Sequence, residues 1–501
     1  MEIPLLGFVI PTWLVLLATS LFLIYKYNTR NFNVLKDLGL DGPKPYPFIG
    51  TFYRSIQSGI GKGPQENMLR YGKVYAEYSG NVPVMVVGDP DMLKQIMVKE
   101  FGFFTNRRKF GPATKPLDKM MTILDDDEWR NLRNATTPAF SGGKLRKATK
   151  DINECAANLM NNLGTVADVD ATFDVKKYCG SFSADVIARI AYGVDMDSQN
   201  DPDHPFIKHM KSSLDFSIRK KPFFAIAMFC PGLLPLASKL GFSFFEKETL
   251  DYFTNLVHGT IKMRKNADAA APERQDFLQV MMEAKEMKSA KEGLGEADDN
   301  RQRKPLTDAE VLSNCIIFFF AAYGTIGDAM SMILYSLADN PEVQEKVFDE
   351  INSVLGDSKE CSYDQVKQLS YLSMVVDESL RRYPPALMVD RLCSGDVVIK
   401  GYKFFKDLVV TIPVYALHMD PEIWPEPEKF IPERFTPDKK TEMNPYNYMP
   451  FGQGPRHCIA MRMALVELKV ALVHVIRNLR IPNFTLSSKL TIQPSSSSGR
   501  H

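Results

Sequence analysis

The segment from Thr307 to Asp339 constrains the fold most. Thr307-Asp308-Ala309-Glu310 is a capping box, in which the threonine caps the third helical amide and the glutamate reaches back. Asn340-Pro341 stops the helix that it opens. Between them lie roughly 32 residues, about 48 Å of helix at ~1.5 Å each, enough to cross a large body. The centre, Ile316 to Thr325, is apolar nearly all round, and such a helix has to be buried. Ala321, Ala322 and Gly324 are small, which suits close helix packing or the approach of something flat.

The rest of the middle reads as helix. Short strand-like runs stand at Val84–Val87, Val397–Ile399 and Leu408–Ile412. The chain is 45% hydrophobic and 24% charged, which excludes disordered, collagenous and multi-span membrane classes. A net charge of +1 gives no field for nucleic acid. The 32 Phe and 24 Met can fill a large interior and an adaptable pocket. Seven scattered cysteines form no C-x-x-C pair, so a zinc ribbon and a disulfide scaffold both fail and the body faces a reducing compartment. Phosphate-loop, dinucleotide and H-E-x-x-H motifs are absent from the sequence.

Ile3 to Tyr25 holds no charge, about 23 positions, long enough to cross a bilayer as a helix. Glu2 in place of a basic start, and no A-x-A pattern before Lys26, favour an uncleaved anchor over a signal peptide. Lys26, Arg30 and Lys36 then put the body on the cytoplasmic side. Gly42-Pro43-Lys44-Pro45-Tyr46-Pro47 is a stiff extended connector. The expected divisions are an anchor at 1–26, a proline-rich linker at 27–48, one large body at 49–492 and a low-complexity tail at 493–501.

Phe451-Gly452-Gln453-Gly454-Pro455-Arg456-His457-Cys458-Ile459-Ala460 is an open glycine- and proline-held loop. It sets a cysteine at the start of a helix, Met461 to Asn478. Helix amides and Arg456 would both stabilise the thiolate, the form that ligates iron.

This segment resembles the F-x-x-G-x-R-x-C signature of the cytochrome P450 enzymes, for which cysteine-ligated haem is the recognised arrangement. Glu378-Ser379-Leu380-Arg381 resembles that family's E-x-x-R, Pro432-Glu433-Arg434-Phe435 its P-E-R-F, and Trp129 with Arg133 its W-x-x-x-R. Phe104 to Arg108, Pro222-Phe223-Phe224 and Tyr415 to His418 look closest to the drug-metabolising family 3 group, which includes thromboxane synthase among its relatives. The similarity runs from about Leu38 to Leu479.

The resemblance implies a mainly α fold with small β-sheets, a single haem-binding domain behind an N-terminal transmembrane helix. It implies haem b on iron ligated by Cys458, with Arg107, Trp129, Arg133, Ala321, Arg391, Phe451 and Arg456 around the cofactor. Glu378, Arg381 and Arg434 would form a structural triad. Phe110, Phe320, Ala321, Ala386, Leu387 and Met388 would line a lipophilic substrate pocket, with the Phe- and Leu-rich run from Pro222 to Phe245 lying over it and dipping into the membrane. The activity implied is insertion of one oxygen atom of O₂ into a steroid, fatty acid or xenobiotic. NADPH-cytochrome P450 reductase would supply the electrons, with cytochrome b5 as a further partner. Lys144, Arg146, Lys147, Lys439 and Lys440 form the basic footprint expected for the reductase. The implied location is the endoplasmic reticulum membrane, single-pass, with no nucleic-acid partner.

Ala321-Ala322-Tyr323-Gly324-Thr325 departs from the family's [A/G]-G-x-[D/E]-T: Thr325 remains and the acid is gone. Thr325 can serve catalysis through its hydroxyl or bond back to the carbonyl one turn earlier. Without the acid, a proton has to come through water. That opens two rivals: an isomerase or dehydratase acting on lipid peroxides without external electrons, and a haem-binding protein without turnover. Ala460 stands where the family has a second glycine, with little effect expected. Ending soon after Ile492, the chain is expected to lack the hairpin with which the relatives wall the pocket.

Overall fold

The computed structural model describes residues 2–5, 8–109, 115–167, 174–201, 203–214, 223, 226, 233–240, 243–266, 276–286, 304–479 and 481. The helices that bear on the site are, in chain order, α1 (Thr12–Thr29), α2 (Asp126–Thr136), α3 (Gly142–Ala167), α4 (Val175–Tyr192), α5 (Pro205–Leu214), α6 (Asp308–Ala338), α7 (Ser370–Arg382) and α8 (Met461–Asn478). The strands are β1 (Glu2–Leu5), β2 (Phe8–Pro11), β3 (Val74–Ser79), β4 (Val82–Val87), β5 (Val389–Leu392), β6 (Val397–Ile399), β7 (Tyr402–Phe404) and β8 (Val409–Ile412).

Helix α6 is the axis of the body. Its capping box forms as expected: Glu310 N donates to Thr307 Oγ1 at 3.2 Å, and Thr307 N donates to Glu310 Oε2 at 2.8 Å. One side packs with α4, α3 and α8 in a core that includes Phe182, Ile326, Met330 and Leu472. The other packs Phe319 and Phe320 among Phe206, Phe253 and Tyr192. Where α4 crosses α6, a Cβ built on Gly327 would lie 3.2 Å from Gly180 Cα, so the two glycines let the backbones meet.

Strands β3-β4-β8-β5 make a four-stranded sheet in that order. β8 runs parallel to β4 and antiparallel to β5, and all four of its residues are buried. β6 and β7 form a separate antiparallel pair. The three strand-like runs read from the sequence are strands within a residue or two at their ends. β3, β5 and β7 escaped notice because short strands declare themselves mainly through their partners.

The apolar N-terminal stretch is divided between strand and helix. Strands β1 and β2 pair antiparallel, Glu2 against Pro11 and Leu5 against Phe8, and α1 begins only at Thr12, directly after Pro11. Proline has no amide to donate, so Pro11 is placed where a helix starts rather than inside one. The 18 residues of α1 span about 27 Å, close to the ~30 Å of a bilayer core. Among the described residues the one helix long and apolar enough to cross a membrane is α6, which is the buried core helix. Helix α1 buries none of its side chains and exposes Trp13, Leu16, Leu21 and Phe22.

Candidate active site

The cysteine loop is shaped by glycine. Gly454 has φ +72°, and a Cβ there would fall 2.1 Å from the Met97 carbonyl oxygen. Gly452 also has positive φ. The turn closes with Cys458 N donating to Phe451 O at 2.8 Å and His457 N donating to Gly454 O at 3.0 Å. α8 follows, with Ala460 as its N-cap. Cys458 opens onto a cavity of about 970 Å³ bounded on the far side by α6. The surrounding protein raises its thiol pKa, and the Ala460 amide, Arg133 and Arg107 pull the other way. The sequence reading gave Arg456 that role. Arg456 instead donates to Thr105 O at 2.9 Å and Leu124 O at 2.6 Å, with its guanidinium 4.2 Å over the Trp129 ring.

The cavity brings together Arg107, Trp129, Arg133, Ala321, Thr325, Ala386, Arg391, Phe451, Arg456 and Cys458, all singled out from sequence. Phe320 is not among its walls: it turns into the core, stacked on Phe245 at 5.3 Å and edge-on to Phe253 at 5.0 Å. Leu387 and Met388 follow Ala386 without lining the cavity, and the Leu387 carbonyl accepts from Tyr415 N at 3.0 Å. Phe110 lies outside the described residues. The Thr325 hydroxyl donates to Ala321 O at 2.6 Å, the back-bonded alternative. A Cβ on Gly324 would meet Leu214 Cδ1 at 2.8 Å, so position 324 faces α5. Sequence reading missed Glu467, a buried acid of α8 that lines the cavity. Its signal was a carboxylate flanked by the apolar residues Met463 to Val466 and Leu468.

Arg107, Arg133, Arg391 and Arg456 line this cavity, each close enough to Cys458 or to another of the four for their charges to interact. Burial lowers the pKa of all four, and that of Arg391 falls to about 9 with Arg107 as the next cause. Arg456 is also lowered to about 9, by burial and then by Arg107 and Arg391. Asp390, the nearby acid, is engaged by Arg108 at 3.2 Å and accepts from Thr411 Oγ1 at 2.7 Å. Arg107 Nε and Arg391 Nε are buried without an acceptor.

Arg381 forks onto Glu378, with both Nε···Oε2 and Nη2···Oε1 at 2.8 Å and both side chains fully buried. Arg434 Nε lies 3.4 Å from Glu378 Oε1. These three side chains thus meet at Glu378. Arg381 Nη1 donates to His418 O at 2.8 Å, and Nη2 donates to Pro427 O at 2.8 Å.

A family model for cytochrome P450 matches residues 40–499. Cytochrome P450 3A13 of Mus musculus is 39% identical over 477 residues, 95% of this chain and 92% of its own. Cytochrome P450 3A9 of Rattus norvegicus is 40% identical over 474 residues, covering 94% and 91%. Cytochrome P450 3A7 of Homo sapiens is 39% identical over 474 residues, covering 94% and 90%. The chain belongs to the cytochrome P450 family. As a P450 it is a monooxygenase, an oxidoreductase whose cofactor is thiolate-ligated haem and whose co-substrate is O₂. The family match runs on past Leu479, where the sequence reading ended the similarity.

The P450 cavity fits that cofactor on its own chemistry. Unmatched buried guanidiniums with idle Nε donors call for an anionic ligand, and the two propionates of a haem supply it. Ala321 and Cys458 line the same cavity and both are exposed, and the small alanine side chain takes up little of that space.

Proposed function

We propose that this P450 oxidises lipophilic small molecules of the steroid, fatty-acid or xenobiotic kind, with Cys458 as the thiolate. The observation that carries the reading is one cavity lined by Cys458, the arginine ring and the small apolar Ala321 and Ala386. The bound haem supplies the activation of O₂. Arg107, Arg133, Arg391 and Arg456 orient the group by its carboxylates. Glu378, Arg381 and Arg434 hold the floor of the site. Ala321 and Ala386 leave room for a substrate held by shape and burial, with few polar anchors. Thr325 commits its hydrogen to Ala321, so its oxygen faces the cavity as an acceptor.

The electron source is NADPH-cytochrome P450 reductase, with cytochrome b5 as a further donor, docking on the face where a cleft of about 670 Å³ reaches Cys458 past Arg130, Pro455 and Arg462. The footprint read from sequence is partly committed: Arg146 pairs with Asp364 and Lys440 with Asp377, while Lys439 donates to the Glu433 carbonyl. Exposed Trp13, Leu16, Leu21 and Phe22 of α1, with Leu233, Leu236 and Leu240, support contact with the endoplasmic reticulum bilayer. Residues 1–26 act as the anchor and 27–48 as the connector to the catalytic body.

The test is reconstitution with reductase and NADPH in anionic vesicles, together with the carbon-monoxide difference spectrum. Product from a lipophilic substrate, a red-shifted Soret band, and loss of both in Cys458→Ala are expected. A second reading has the Gly324 substitution behind it: conversion of a lipid peroxide without electrons. Fast conversion of a fatty-acid hydroperoxide without NADPH, and no NADPH-driven oxidation, would replace the first reading with the second.

A further inference from the structure

One stretch of the cavity wall is apolar inside and charged at its rim. It is built by α3 and α4, by Phe140 at the end of the short helix Thr137–Phe140, by Phe277 at the start of the helix Phe277–Glu286, and by Phe318 of α6. The rings of Phe140 and Phe318 stack at 5.7 Å, and Phe277 lies 4.3 Å from Phe318. Leu145 of α3, with Ile187 and Ile190 of α4, continues the apolar lining. The wall also carries Glu154 and Asp195, both exposed, so this lobe of the cavity reaches solvent.

The charged residues at that mouth are not equivalent. Arg189 is held by Glu154 at 2.6 Å, and its Nε donates to Asp195 Oδ1 at 3.1 Å. Asp276 accepts from Arg264 at 2.7 Å. Lys147 and Asp151 stand four apart on α3, where opposite charges offset one another. Lys144, in the first turn of α3, is half-buried on the same wall and has no hydrogen bond or ion pair among the described residues. A partly desolvated ammonium beside an apolar lining suits an anion that carries a hydrocarbon tail.

We propose that this lobe is a second ligand site, which holds a single-chain carboxylate amphiphile of the fatty-acid kind with its carboxylate on Lys144 and its chain among Phe140, Phe277 and Phe318.

The aromatic and branched side chains retain the tail by burial. The ammonium gives a carboxylate a charge-assisted partner that an alcohol of the same length cannot match. An occupied lobe sets hydrocarbon against Phe318, one turn before Ala321 on α6, so the ligand bears on the wall of the haem cavity without touching Cys458. The inference needs the haem-loaded P450 but not the substrate class proposed above.

The test is equilibrium dialysis of labelled decanoate and decanol against the haem-loaded full chain in phosphatidylcholine nanodiscs, with the iron saturated by 4-phenylimidazole. Empty nanodiscs measure the share that the lipid takes. Decanoate should bind saturably and about 10-fold more tightly than decanol. Lys144→Gln should remove that preference and leave decanol binding unchanged. Ile190→Trp should fill the lobe and weaken both ligands with the carbon-monoxide band intact, and Lys144→Gln decides alone if the tryptophan variant loses haem. Displacement of decanoate by 4-phenylimidazole would put it in the haem cavity and overturn the proposal. No saturable binding, or a Lys144→Gln protein that keeps the preference, overturns it too. None of these readouts depends on turnover, so a protein that binds decanoate but forms no NADPH-driven product upholds the second site and sinks only the proposed oxidation.

Discussion

Arg107, half-buried, and Arg391, buried, line the same cavity, and each leaves a buried Nε without an acceptor. Arg107 is, after burial, the main cause that lowers Arg391. Asp390 relieves this only in part, since Arg108 and Thr411 already hold it. Binding donors that repel each other carry a stability cost that an anionic ligand removes.

Arg107→Met and Arg391→Met should therefore leave the apoprotein as stable as wild type or more so, because each removes a desolvated cation that repels its neighbour. Haem retention should fall in the same variants. Loss of one charge-assisted pair, about 2 kcal/mol, raises the haem dissociation constant ~30-fold. Melting of the apoprotein and haem transfer to apomyoglobin separate the two effects. A parallel fall in both would assign these arginines to the scaffold.

Glu378→Ala should behave in the opposite way. It strands the fully buried Arg381, and breaking such a pair costs about 3–5 kcal/mol. Arg434→Ala removes a 3.4 Å contact at a slightly open position and should cost about 1 kcal/mol. Urea midpoints for the two variants test the ranking.

His418 sets a pH dependence. Burial, then the Arg381 charge, lowers its pKa to about 3. Its Nε2 accepts from Met449 N at 2.9 Å, so the ring is neutral, with Nδ1–H directed at Arg381 O at 3.2 Å. The unfolded chain binds a proton near pH 6.5 that the folded chain refuses down to about 3. This contribution is thus full above pH 6.5 and declines as pH falls toward 3, by at most ~1.4 kcal/mol per unit. His418→Gln, which does not titrate, should flatten that part of the stability–pH curve relative to wild type.

Two glycines of α6 should respond differently to alanine. At Gly327 the new methyl meets Gly180 backbone at 3.2 Å, and the crossing with α4 has to open, at about 1–3 kcal/mol. At Gly324 it meets only the movable Leu214 Cδ1, at 2.8 Å. The ~1 kcal/mol helix-propensity gain should then offset the contact, and Leu214→Ala should uncover it. Thermal melts of the single and double variants check both statements.

Much of this molecule is legible in one sequence because its signals are local. The α6 capping box, the Met461–Asn478 helix and the glycine-held cysteine loop each depend on residues a few positions apart, and the structure has them where the sequence puts them. The fork between Glu378 and Arg381 is one helical turn long and equally local, but its complete burial is not. Motif spacing placed Cys458 and the arginines in one site. Which way a side chain points from its element depends on neighbours far away in the chain. Phe320 turns to Phe245 and Phe253 rather than to the cavity, and Arg456 is drawn to the carbonyls of Thr105 and Leu124 rather than to the sulfur. Glu467 becomes a neutral buried acid only because α3, α4 and α6 close around it and exclude water. The sequence by itself determined the helices, the loop and the family. The tertiary structure alone decided burial and direction, because desolvation and packing are properties of what surrounds a residue in space and not of its neighbours along the chain.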